Sequence, residues 1–99
     1  MSLRLILSRR ARADLDDIWN FSASRWSSAQ ADRYLMGLDG ILRLICQEPH
    51  LGRLRQELVP EFRMYPYRSH LIFYRDDPVM IDVVRVLHTR TDWQTLISE

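Results

Sequence analysis

Two neighbouring strands constrain this chain more than any other feature. Leu71–Arg75 and Met80–His88 both read as β, and in each the two alternating sets of side chains are largely apolar. Leu71 and Phe73 stand against Ile72 and Tyr74; Ile81, Val83 and Leu87 stand against Val84 and Val86. A strand with one solvated face alternates apolar with polar residues, so these two belong at the centre of a sheet. Either both faces are covered by other elements, or one is left for a partner. Asp76-Asp77-Pro78 is a turn too short for anything but antiparallel neighbours. Phe62–Tyr65, ahead of Pro66, adds a third strand to the meander.

The first half supplies the cover. Leu3–Leu7 has the period of a half-buried strand, and Ser8 follows as a helix N-cap. From Arg9 to about Arg25 the residues Ala11, Leu15, Ile18, Trp19, Ser22 and Trp26 recur at three- and four-residue steps, one face of a helix. Arg10, Arg12, Asp14, Asp16 and Asp17 take the opposite face, with Arg10–Asp14 and Arg12–Asp16 as (i, i+4) pairs. The three aspartates diverge around the helix, so they read as a solvated face and not as a metal or acid/base site. Ser27 or Ser28 caps a second helix, about Ala29 to Gln47, with a stripe of Ala31, Tyr34, Leu35, Leu38, Ile41, Leu42 and Ile45. Gly37 and Gly40 inside it either admit a close neighbour or are two weak spots. Pro49 ends the helix, and His50–Glu61 shows no period and reads as loop. The expected fold is α+β: a strand, an antiparallel helix hairpin, then a three-stranded antiparallel meander in two layers. A hairpin covers one face of the sheet, which leaves the other as a candidate binding surface.

Ninety-nine residues suit one domain, spanning 1–99. The net charge of +1 is spread evenly over both halves, against a strong direct nucleic-acid binder, which shows a basic stripe. All 14 basic residues are Arg, so no lysine is available for catalysis. No apolar run reaches the ~20 residues of a membrane span, and Cys46 stands alone without a disulfide partner. A cytoplasmic location is expected.

Glycine-rich phosphate loops, a nucleophile elbow and Cys-x-x-Cys are absent, and Cys46, His50, His70 and His88 lack metal-ligand spacing. No metal or cofactor is expected. One arrangement in this sequence could do chemistry. In Met80–Trp93 the apolar run of the last strand gives way to Arg85, His88 and Arg90, and Arg63 joins them from the meander. Arginines stabilise a developing phosphorane and His exchanges a proton, the set needed for metal-independent RNA cleavage. The alternative is that Arg85 and His88 pair with acids such as Asp82 or Asp92.

Three blocks carry a family resemblance. Ser8-Arg9-Arg10-Ala11-Arg12-Ala13-Asp14-Leu15-Asp16-Asp17-Ile18-Trp19, with Trp26, Ala31 and Tyr34, resembles the opening of ParE-type toxins of the ParE/RelE superfamily. Pro49-His50-Leu51-Gly52-Arg53, then His70–Arg75 and Val83–Arg90, agree with the rest. The resemblance implies the toxin of a type II toxin–antitoxin pair, of the kind tied to plasmid stabilization. Its implied partner is a ParD-like antitoxin that folds over it, in a heterodimer or a larger assembly. ParE-branch members poison DNA gyrase, whereas RelE-branch members cut messenger RNA on the ribosome, often with Lys and a C-terminal Tyr or His. This chain has no Lys, and Trp93 is its last aromatic residue, which favours the gyrase branch. The ribonuclease alternative would use Arg63, Arg85, His88 and Arg90 as catalytic residues. A third possibility is an inactive remnant that only binds antitoxin as a co-repressor. The expected antitoxin contacts are Trp19, Trp26, Tyr34, Arg68 and Arg75. The expected target contacts are His88, Arg90, Asp92 and Trp93.

Overall fold

A computed structural model describes residues 2–58 and 61–98. It contains, in chain order, β1 (Arg4–Leu7), α1 (Arg9–Arg25), α2 (Ser28–Gln47), β2 (Arg53–Arg55), β3 (Phe62–Tyr67), β4 (His70–Asp76), β5 (Met80–His88) and α3 (Trp93–Ser98). Both long helices begin as the sequence predicts. Ser8 accepts the Ala11 amide at 3.0 Å, and Ser27 accepts that of Gln30 at 3.0 Å. Each satisfies one of the orphan amides of a first turn, typically worth about 1 kcal/mol. No helix among the described residues is long and apolar enough to cross a membrane.

The sheet has five strands in the order β1-β5-β4-β3-β2, so the two strands apolar on both sides are indeed central. β1 lies parallel to β5, with Arg4 opposite Met80 and Leu7 opposite Val83; the other pairings are antiparallel. β2 falls in the segment expected to be loop. It is three residues long and pairs only with Phe62–Met64, too short to show a period. β3 runs on through Pro66 to Tyr67, past its predicted end at Tyr65. The two-residue hairpin makes Tyr67 and His70 the bonded pair, so the Pro66–Leu71 pair is non-bonded and Pro66 nitrogen points away from β4. On that side β2 has already ended, and proline's missing N–H leaves no gap in the ladder.

The hairpin α1–α2 buries Ala11, Ile18, Leu38, Leu42 and Ile45 against Ile72, Tyr74, Ile81, Val83 and Val86. The opposite face is not open, contrary to expectation. Phe62, Phe73 and Leu87 are buried there by Leu58 and Ile97, with Trp93 and Leu96 packed alongside. Trp93, Leu96 and Ile97 have the spacing of one helical face, and α3 is a single docked turn and a half.

One irregularity shapes the end of β5. Phe73 faces Arg85 while Tyr74 faces Val83, so Val84 is an extra residue, a bulge. β1 stops at Val83, leaving the backbone beyond it without a neighbouring strand. The start of α1 fills in. Ser8 Oγ donates to the Val84 carbonyl at 2.7 Å, and Asp14 Oδ2 accepts the Val86 amide at 2.9 Å. Asp14 also takes Arg85 in a bidentate pair, Nε to Oδ2 at 2.8 Å and Nη2 to Oδ1 at 2.9 Å. The expected solvated aspartate is therefore a structural clamp, and the acid that pairs with Arg85 is neither Asp82 nor Asp92. Only 11% of its side chain and 15% of that of Arg85 reach solvent.

Candidate functional site

With α1 clamped to β5 at Asp14, the second half of α1 stands over the outer ends of β4 and β5. The start of α2 closes the far side. The space between is an apolar groove of about 530 Å³. Ile18, Phe21 and Trp26 form one wall, Tyr34 the other, and His70 and Val86 the floor. Phe21 and Trp26 are 63% and 70% exposed, so two large aromatic side chains meet solvent at one groove.

A chain of aromatic rings runs along the floor. Tyr34 Oη lies 2.7 Å from His70 Nδ1, and the His70 ring meets that of His88 edge-on at 5.3 Å. Tyr67 Oη donates to the Tyr34 carbonyl at 3.0 Å, reaching it because Gly37 has no side chain; a Cβ there would collide with that hydroxyl. Gly37 is thus the close approach that the sequence left open, although its neighbour is a tyrosine side chain. Gly40 faces open space. Burial, and secondarily the nearby His88, lowers the pKa of His70 to about 4. Burial likewise raises that of Tyr34. His88 Nδ1 accepts the Arg90 amide at 3.0 Å, which puts the ring proton of a neutral His88 on Nε2. At neutral pH the half-buried His70 is neutral and offers no positive charge to a phosphate.

The candidate residues divide accordingly. Trp26 and Tyr34 line the groove, and Arg68 lies at the tip of the β3–β4 hairpin next to the lining residues Ser69 and His70. Trp19 is not part of it; its Nε1 donates to Asp32 at 2.9 Å and ties α1 to α2. Arg75 lies over the Phe62 ring at 6.0 Å, on the side of the second core cluster. His88 sits on the groove rim, with the exposed Arg90 beyond it. Asp92 accepts the Thr95 hydroxyl at 2.7 Å at the start of α3. Trp93 packs on Phe73 at 5.3 Å beneath the Arg55 guanidinium, so much of it belongs to the second core.

Arg63, Arg85, His88 and Arg90 do not converge. Arg63 bonds Asp76 at 2.8 Å and the Gly52 carbonyl at 3.0 Å. Asp76 lies six residues along β4 from His70, roughly 20 Å in a strand. Arg85 is held by Asp14. Among the described residues, no three His, Cys, Asp or Glu side chains come together as metal ligands. Phe21, Asp14 and His70 are the site residues that pattern reasoning passed over. Phe21 stands three residues after Ile18 on the helix, which is the available signal for it.

A helix hairpin on a five-stranded sheet, with a largely apolar groove at one end and exposed aromatics on its lip, defines a small α+β protein. Its fold is that of a solved structure, "Chromosomal ParDE TA system from P. aeruginosa", with a TM-score of 0.75 over 88% of this chain and 96% of that one, at 20% identity. Residues 5–93 match the family described as "ParE toxin of type II toxin-antitoxin system, parDE". The chain is 42% identical over 82 residues to Toxin ParE1 of Caulobacter vibrioides, covering 83% of this chain and 84% of that protein. It is 41% identical over 93 residues to Toxin ParE1 of Mycobacterium tuberculosis (strain ATCC 25618 / H37Rv), covering 93% and 95%. The chain belongs to the ParE toxin family of type II toxin–antitoxin systems.

Proposed function

We propose that this chain is a cytoplasmic toxin that inhibits DNA gyrase by binding it, and that a ParD-like antitoxin neutralises it by occupying the groove. One observation carries the choice of a binding protein over a nuclease. Of the four residues that RNA cleavage would use, Arg63 and Arg85 are engaged by carboxylates, and they do not come together with His88 and Arg90. A guanidinium already neutralised by a bidentate carboxylate contributes little to a developing phosphorane. The exposed Phe21 and Trp26 beside an apolar floor suit an amphipathic segment from another protein. His88 belongs to the groove rim and also opens the tail of His88, Arg90 and Asp92, our candidate target contact. A segment filling the groove then covers the start of that tail, so neutralisation is occlusion.

Purified gyrase supercoiling a relaxed plasmid provides the test. Micromolar toxin should stop supercoiling or trap cleaved DNA, and the antitoxin should reverse the effect. Normal supercoiling throughout, together with codon-biased cuts in messenger RNA, would replace this reading with the ribonuclease one.

A further inference from the structure

The β3–β4 hairpin turns on two residues, Arg68 and Ser69, between the paired Tyr67 and His70. Arg68 has φ of 50°, and no other non-glycine residue among those described has a positive φ. The first central position of a two-residue hairpin takes a positive φ because that matches the twist of the strands, and glycine takes it freely. An arginine there is strained, and strain of this kind persists where something else gives it a use.

Among the described residues, nothing supplies that use. The Arg68 side chain is exposed, pairs with no carboxylate among the described residues, and only leans over the Tyr67 ring at 5.7 Å. Yet its turn forms part of the groove, since Ser69 and His70 line it. The charges around the groove are lopsided. Of its two lining carboxylates, Asp14 is already neutralised by Arg85, which leaves Asp17 alone. Among the described residues Arg25, which lines the groove over Phe21, has no acidic partner, and Arg68 stands beside the lining residues Ser69 and His70.

We propose that Arg68 is the specificity-determining residue of the groove: it pairs with a carboxylate on the otherwise apolar antitoxin segment and sets which antitoxin is accepted. The proposal rests on the reading of the groove as the antitoxin site. A planar guanidinium beside an apolar trough fits a single carboxylate on a peptide, whereas a nucleic-acid backbone calls for several cations in a row. Because Arg68 acts only on the bound partner, its removal separates two properties that a structural residue would move together.

The test uses the full chain and its cognate full-length antitoxin, with binding followed by calorimetry at low and high salt. Arg68→Gly should raise the melting temperature of the isolated chain by about 4 °C, as a strained φ is relieved. The same variant should bind the antitoxin about tenfold more weakly at low salt, the gap shrinking as salt is raised. Arg68→Glu should bind more weakly still. Trp26→Ala serves as the control for the groove itself. If Trp26→Ala weakens binding and Arg68→Gly does not, the groove is the antitoxin site and the role given to Arg68 is wrong. Unchanged binding in both variants would remove the groove reading and the Arg68 role together. A lower melting temperature in Arg68→Gly would make Arg68 a structural residue and overturn the proposal.

Discussion

Asp14 and Arg85 lie 71 positions apart and form the contact on which the site depends. Pattern reasoning paired Asp14 with Arg10 four residues earlier, an exposed ion pair worth a few tenths of a kcal/mol. The bidentate pair to Arg85 wins because it is shielded and also satisfies the Val86 amide that the end of β1 leaves open. Arg85→Ala strands the Asp14 charge in a mostly buried place and should lower stability by about 3 kcal/mol in urea denaturation. Arg85→Lys should recover little of that, since an ammonium cannot repeat the two-point contact. A variant as stable as the parent would leave Arg85 free for other roles. His70 gives a second residue-scale prediction, with a pH sign. Its folded pKa, about 4, lies below the ordinary 6.5, so the unfolded chain binds the extra proton between these values. The stability His70 contributes is complete above pH 6.5 and declines as pH falls toward 4, with a slope held below the full linkage value because the half-exposed ring is partly screened by solvent. His70→Gln should flatten the stability–pH curve in that window relative to the parent, and parallel curves would contradict the assignment.

At the scale of elements, what could be read in the sequence was what repeats. α1, α2, β4 and β5 each run long enough for a period or an apolar double face to emerge, and the serine caps mark the helix starts. β2 and α3 could not be read that way. Arg53–Arg55 has two exposed residues out of three, and Trp93–Ser98 is shorter than two helical turns. Each owes its form to a surface made elsewhere in the chain, the edge of β3 for one and Phe73 with Leu87 for the other. The glycines of α2 show the same limit, because sequence alone does not distinguish Gly37 from Gly40. Gly40→Ala meets no neighbour and should stabilise the helix by about 1 kcal/mol. Gly37→Ala drives a methyl into the Tyr67 hydroxyl and should destabilise, because the bond to the Tyr34 carbonyl is lost. Thermal melts of the two variants should therefore shift in opposite directions.

Across the whole molecule, the sheet separates two cores with different duties. The hairpin side holds the larger cluster and continues into the groove, while the opposite side holds a small cluster capped by α3. That division splits the tail expected to meet a target. Trp93 belongs to the second core, and its loss acts through stability: Trp93→Ala should lower it by about 2 kcal/mol, read by denaturation. His88 is exposed at the mouth of the groove, where truncation removes only an edge contact with the His70 ring and an exposed bond from the Arg90 amide. His88→Ala should leave stability within about 0.5 kcal/mol of the parent. If the groove and the tail are neighbouring parts of one surface, the same substitution should weaken antitoxin affinity and gyrase inhibition together. Loss of gyrase inhibition with antitoxin binding intact would place the two partners on separate surfaces, and occlusion would then fail as the means of neutralisation.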